Sequence, residues 1–367
     1  MARRPAYHAQ HAAIADLLRS LASVEAAPAL ARQYTEAAAA IGRLGVPIAS
    51  HMRPDGTLTP IAGVGQSAAR VIVEILQTGS SPTVERAFAR SRPPARTPRA
   101  APARDTYLDD EEVAAALDDP TLGGLSRDDY RGDLQMHSTY SDGTQPLEAI
   151  VRTGIARGYE YAAVTDHGYG LPVAGGVSMA RLADQHREID RLNAQYEGRF
   201  RILKGIEANI RSDGSIDMAR DELRQLEIVV AAPHGALQDD GDQTARFVAA
   251  VRAPGVHILG HPRGRKRGVR AGVRVQWDRV FEAAARTLVA IEIDGDPRRQ
   301  DIDHVLARRA LDAGCLFALD SDAHATDEWA FADTAIAHAR LAGIPPARIV
   351  NCWPVEILLQ WASGLRA

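Results

Sequence analysis

Between residues 132 and 319 seven short apolar runs alternate with helix-length amphipathic segments, and this alternation constrains the fold more than any other feature of the chain. The runs are GDL (132–134), YAAV (161–164), RILKGI (201–206), EIVVAA (227–232), VHIL (256–259), LVAIEI (288–293) and CLFAL (315–319). Segments between them, such as PLEAIVRTGIARG (146–158) and DIDHVLARRALDAG (301–314), have helical periodicity and end at glycine. Repeated strand–helix units predict parallel strands covered by helices, and seven of them predict an α/β fold with a closed or nearly closed barrel. An open doubly wound sheet is the alternative, but no GxGxxG turn follows a first strand to support it.

The residues that follow the runs carry the chemistry. GDL leads to Gln135, His137 and Asp142, YAAVT to Asp166 and His167, and RILKGI to Glu207. EIVVAAP leads to His234, VHILG to His261, and CLFAL to Asp320, Asp322 and His324. In a parallel barrel all of these fall at the C-terminal ends of strands, on the face where barrel active sites lie. Five of the 12 histidines occupy such positions. A lone histidine at a strand end is more often a core or capping residue, but five imidazoles converging with carboxylates need a compensating cation. Imidazole and carboxylate without thiolate predict two or three divalent ions, Zn²⁺, Mn²⁺ or Fe²⁺, and no organic cofactor. A shared carboxylate such as Glu207 can bridge two ions, an arrangement suited to activating water against a phosphoester.

The rest of the chain divides around SRPPARTPRAAPARD (91–105), a stretch rich in Pro, Ala and Arg without apolar periodicity. The expected organisation is a helical domain over 1–88, a linker over 89–105, an acidic connecting helix within 106–129 and the barrel over 130–367. In the helical part, LTPIAGVGQSAARVIVEILQTG (58–79) places Gly63 and Gly65 in a tight turn, with Ser67 available to cap the following helix. Backbone N–H groups at such a turn and helix start suit a phosphate. The segment resembles the helix-hairpin-helix motif, which implies contacts to a DNA backbone without sequence reading. The charge follows the same division: residues 1–104 have 13 Arg against six acidic residues, whereas the whole chain carries net charge −4. Two cysteines, no CxxC pair and no long apolar stretch predict a cytoplasmic protein with no membrane partner.

The segments DLQMHSTYSDG, AVTDHG, KGIEANI, DGSID, APHGAL, ILGHPRGR and ALDSDAH, in this order, resemble the PHP (polymerase and histidinol phosphatase) domain over about 130–362. The form they most resemble is the one in bacterial family X DNA polymerases, here without the polymerase core. The resemblance implies a distorted seven-stranded (β/α)7 barrel. It also implies one ion held by Gln135, His137, Glu207 and Asp322, a second by Glu207, His234 and His261, and a third by Asp142, His167 and His324. Glu207, Asp322 and His324 would be catalytic, and Arg265 would steady a phosphate. The departures are Gln135, an amide where the family carries His; Pro233 before His234, in place of a small hydroxyl residue; and Asp294 in place of Asn. Gln135 is expected to weaken its ion, since three protein ligands can still hold a catalytic zinc.

The function expected from these features is phosphoester hydrolysis, as a 3′-5′ exonuclease or DNA-end phosphatase, with a polymerase or repair protein as a partner in trans. Two alternatives remain open: a DNA-binding scaffold whose barrel has lost turnover through Gln135, and a small-molecule phosphatase of the histidinol-phosphate type.

Overall fold

The computed structural model describes residues 27–78 and 106–365, apart from 172, 173 and 238, together with scattered positions between 11 and 25 and residues 81, 83 and 84. The 89–105 linker lies outside the described residues. Seven strands form one all-parallel sheet in sequence order: β1 (Gly132–Asp133), β2 (Tyr161–Val164), β3 (Arg201–Asn209), β4 (Ile228–Ala232), β5 (Ile258–Leu259), β6 (Ala290–Asp294) and β7 (Leu316–Asp320). The expected runs and the strands agree closely, and the parallel bridge Met136↔Ala323 joins the two edges beyond β1 and β7. The result is a nearly closed (β/α)7 barrel, and the open-sheet alternative is excluded.

Within the strands the two-residue period separates the two faces. Ile291, Ile293, Phe317 and Leu319 pack outward with residues of the covering helices Trp277–Thr287, His304–Asp312 and Ala332–Leu341. Ala290 on β6, Leu316 and Ala318 on β7, and Val230 on β4 pack together inside. Helix Val355–Leu365 adds Leu358 and Ala362 to that inner cluster. Further along β6 and β7 the same face changes character to Glu292, Asp294 and Asp320, all buried. The barrel therefore runs from apolar at the N-terminal ends of its strands to acidic at the C-terminal ends. Each large apolar side chain buried in this way contributes about 1.5–3 kcal/mol.

The seam between β1 and β7 is closed by side chains. Asn351 accepts from the Leu319 N–H at 2.8 Å and directs Nδ2 at the carbonyls of Gly132 (2.9 Å) and Leu319 (2.8 Å). Asp320 Oδ1 accepts from the Leu134 N–H at 2.8 Å. Gly132 is required beside the seam, since a Cβ there would lie 2.1 Å from the Tyr161 carbonyl oxygen.

In the N-terminal part, Ile14, Leu18, Leu21, Tyr34, Ile41, Val71, Ile72 and Ile75 form a separate apolar cluster. Helix Pro28–Gly42 packs on helix Gln66–Thr78. Gly63 has φ +84°, and the Gly65 carbonyl accepts the first helical bond from the Ala69 N–H. Gly65 therefore holds the cap position expected for Ser67, which lies one residue further into the first turn. The connecting segment forms helix Asp110–Asp118, started by a reciprocal Asp109–Glu112 capping box.

Candidate metal centre

Glu207, third from the end of β3, is the hub of the site. Its carboxylate is buried, with Oε2 2.8 Å from His167 Nδ1 and 3.5 Å from His137 Nε2. Its Oε1 lies 2.9 Å from His261 Nε2 and 3.3 Å from His234 Nε2. On the β7 side His137 Nε2 is 3.1 Å from Asp322 Oδ1, and Gln135 Nε2 is 3.4 Å from the same oxygen. Toward solvent, Asp142 lies 3.5 Å from His167 Nε2 and 3.6 Å from His324 Nε2. The rings of His137 and His324 stack at 4.2 Å, and those of His137 and His167 at 4.4 Å.

Three groups have donor atoms close enough to share an ion: His137, Glu207 and Asp322; His167, Glu207 and His234; and His137, Asp142, His167 and His324. All nine residues implied as ligands converge on one barrel mouth, but the grouping differs from the expected one. His137 joins the Asp142 group, and His167 joins Glu207 and His234. His137 lies stacked between His167 and His324, and His167 turns Nδ1 to Glu207 at 2.8 Å.

The donor chemistry fits divalent cations. Neither ring nitrogen of His234 makes a directed hydrogen bond, and His137 Nδ1, His261 Nδ1, Glu207 Oε2 and Gln135 Oε1 are also buried without one. Buried lone pairs left in this state are costly unless a cation takes them. The electrostatics agree. Burial and His167 oppose a charge on His137, but Asp322 and Glu207 outweigh them and raise its pKa. Burial likewise opposes a charge on His167, yet Glu207 and Asp142 carry its pKa well above the usual value. Burial would raise the Glu207 pKa, but His167 and His234 hold it well below the ordinary carboxylate range. The cluster is therefore built to hold positive charge.

Around this set, residues that are not donors fix its shape. Asp166 collects Ser138 N–H at 2.8 Å, Ser141 N–H at 3.2 Å, both serine hydroxyls and Gln185 Nε2. It thus folds the turn that presents Asp142. Asn209 Oδ1 accepts the His234 N–H at 3.1 Å, which holds the loop behind Pro233. Asp322 itself has φ +52°, a conformation rare for a side-chain-bearing residue and held here by its surroundings. Deeper in the barrel, burial and the neighbouring Asp320 raise Asp133 to about 8, and burial raises Asp320 to about 6.

Arg265 does not stand where the resemblance implied. Its guanidinium is buried and consumed by the carbonyls of Arg299 and Gln300, by Thr106 Oγ1 and by Asp303. It clamps the connecting segment to the barrel. The arginine at the cluster is Arg299, whose Nε lies 3.4 Å from Asp322 Oδ2 and 3.5 Å from Asp294 Oδ2. Asp294, the third departure, faces this guanidinium, but burial and Asp322 outweigh Arg299 and raise its pKa well above the usual value. Arg299 follows the β6 strand end by five residues, and that position was the one available sequence signal for it. Gln135 sits at the first group with its amide oxygen unpaired, facing the close approach of Gly260.

The fold and this site together define a metal-dependent hydrolase of phosphoester bonds. The PHP domain family matches residues 133–293. The DNA polymerase/3′-5′ exonuclease PolX of Bacillus subtilis (strain 168) is 36% identical over 222 residues, covering 60% of this chain. The chain spans only 39% of the length of that relative. A probable phosphatase of Serratia proteamaculans (strain 568) is 30% identical over 249 residues, covering 62% of this chain and 93% of the relative. A histidinol phosphate phosphatase from Lactococcus lactis, solved with zinc, L-histidinol and phosphate, aligns over 56% of this chain and 92% of its own, with 18% identity and TM-score 0.42. The chain belongs to the PHP domain family.

Proposed function

We propose that the protein hydrolyses phosphoesters at the ends of nucleic acid strands, as a 3′-5′ exonuclease or end phosphatase, with its N-terminal helices holding the strand backbone. The observation that carries this reading is the convergence of five histidines, Glu207, Asp142 and Asp322 at one barrel mouth, in the part of the chain that is 36% identical to the B. subtilis polymerase/exonuclease. Divalent ions held there supply Lewis-acid polarisation of the phosphoryl group and a lowered pKa for water.

The chain's own residues do the remainder. Glu207 holds His167, His234 and His261 in register from one buried carboxylate. Arg299 brings a guanidinium to the rim, a partner suited to a non-bridging phosphate oxygen. His324 is the most exposed imidazole of the Asp142 group, with 30% of its side chain accessible, and its Nδ1 meets the Asp322 carbonyl at 2.8 Å, which orients Nε2 toward Asp142 for an ion. In the N-terminal part, the Gly63–Gly65 turn ahead of helix Gln66–Thr78 is the element assigned to strand phosphates. A polymerase or repair protein acting in trans is the partner that belongs to this reading.

A second reading, a small-molecule phosphatase, is favoured by the relative named a probable phosphatase, 93% of whose length the chain covers. End-labelled single-stranded DNA and histidinol phosphate, each supplied with Mn²⁺, separate the two. Shortening or end-dephosphorylation of DNA, lost in Asp322→Asn, is expected. Turnover of histidinol phosphate alone selects the second reading. Wild type as inert as Asp322→Asn on both substrates, with activity restored by Gln135→His, identifies a scaffold that has lost turnover.

A further inference from the structure

The loop after β5 carries charge that the metal centre does not use. Residues 263–274, RGRKRGVRAGVR, contain six basic side chains and no acidic one. Two of the six are neutralised inside the fold. Arg263 pairs with Asp301 at 3.1 Å and Asp303 at 2.6 Å, and Arg265 pairs with Asp303 at 3.1 Å. Lys266, Arg267 and Arg270 rise on a small hairpin, whereas Arg274 lies beyond it and donates to the Asp240 carbonyl at 3.1 Å. Lys266 and Arg270 exchange backbone bonds at 2.9 Å in both directions, and Gly268, with φ +70° and open space where a Cβ would stand, makes the turn. Arg267, Gly268 and Val269 are exposed at the tip.

The hairpin borders a cavity of about 390 Å³ lined by Tyr107, Lys266, Arg267, Gly268 and Arg270, among others. That volume lies within the range of pockets that take small organic ligands. Tyr107 forms its aromatic wall, with the Arg265 guanidinium 4.1 Å and the Arg267 guanidinium 5.2 Å from the ring centroid. Burial lowers the pKa of Lys266, and so do the neighbouring cations Arg298, Arg299 and Arg270. Cations that disfavour one another this way mark a place suited to an anion.

Position gives the cavity its meaning. The Arg267 N–H donates to the Arg298 carbonyl at 2.7 Å, and the next residue, Arg299, reaches Asp322 at 3.4 Å. The basic hairpin is thus linked to the metal cluster through Arg298 and Arg299. A phosphomonoester of a small metabolite needs only the cluster. A basic track with an aromatic wall beside it fits the following nucleotides of a strand whose end is at the cluster, since backbone charge and base stacking are what a single strand offers.

We propose that the Lys266–Arg270 hairpin and Tyr107 form a docking subsite for single-stranded nucleic acid, with Lys266 and Arg267 on successive phosphates. This inference rests on the phosphoesterase reading of the metal centre and names its substrate class. The test uses the full chain with Mn²⁺ and a fluorescein-labelled, phosphorothioate-linked dT12, followed by anisotropy across a NaCl series. Lys266→Gln/Arg267→Gln is expected to weaken binding about tenfold. It should also flatten the slope of log affinity against log salt by about 1.4, at about 0.7 per single-strand phosphate contact. Lys266→Arg/Arg267→Lys is expected to keep the wild-type slope. An unchanged slope in the glutamine variant overturns the proposal, as does an equal loss in the charge-conserving one, which marks a packing role. Should the double variant fail to fold, Arg267→Gln alone, at the exposed tip, is expected to flatten the slope by about 0.7. Hydrolysis of bis-p-nitrophenyl phosphate by the wild type is measured in parallel. Its absence overturns the phosphoesterase reading, while the salt slopes still decide the docking site.

Discussion

Replacing Asp166 by Asn tests whether this carboxylate positions the metal-binding turn or is itself a ligand. In the structure both oxygens are occupied by protein donors: the N–H groups and hydroxyls of Ser138 and Ser141, and the Gln185 amide. Asparagine keeps one oxygen for the two backbone N–H groups but presents an NH₂ where the other stood. Gln185 then has to turn its unpaired Oε1 inward. Bonds to a charged acceptor contribute about 1.5–3 kcal/mol each against about 0.5–1.5 for neutral ones. Loss of charge assistance over three or four surviving bonds amounts to about 3 kcal/mol. For a domain of this size that corresponds to a fall in Tm of roughly 6–12 °C. Thermal melts of the metal-free variant measure this loss, and Mn²⁺ titration calorimetry reads the affinity, expected to fall about 10–100-fold as for other residues that orient ligands. A metal-free Tm at or above wild type, together with lost metal binding, would refute the reasoning, because removing a true ligand relieves repulsion among buried carboxylates.

Glu207→Gln should leave the protein folded but cut the bound Mn²⁺ to at most one ion per chain by elemental analysis, since Glu207 belongs to two of the three groups. Gln135→His should raise the affinity of the most weakly held ion without changing the number of ions at saturation, and calorimetry that shows no change would remove the amide as the weak point. Asp303 sets a pH dependence. Burial opposes its ionisation, but Arg263, the Leu306 N–H and Arg265 outweigh it and hold its pKa at about 2 rather than 3.8. Because the folded value is the lower one, this carboxylate contributes about 2 kcal/mol above pH 4 that is lost as pH falls toward 2. Denaturant melts of Asp303→Asn should therefore show a shallower loss of stability than wild type over that window.

Most of the barrel is legible in the chain because its strands are local apolar runs. YAAV is a strand residue for residue, EIVVAA loses only its first residue, and CLFAL is displaced by one position. The donors are legible for the same reason, since a strand end fixes where the next side chain stands. Arg265 and Arg299 show the limit. Both are basic residues in loops at the same mouth, and only tertiary contacts send one into a clamp with Asp303 and the other to Asp322. The proximity of the donor atoms was equally out of reach, because ring stacking around His137 depends on three strands at once. Asp166 was visible at its strand end, yet nothing local distinguishes a turn anchor from a ligand.

Asn351 follows every donor of the site in the chain, so the seam's last side-chain bonds come from a residue made after all the ligands. Gln135 and His137 follow β1, and Asp322 and His324 follow β7, so the cluster straddles the seam that this amide holds. A chain ending ahead of Asn351 would keep every ligand and lose these bonds across the seam that carries them.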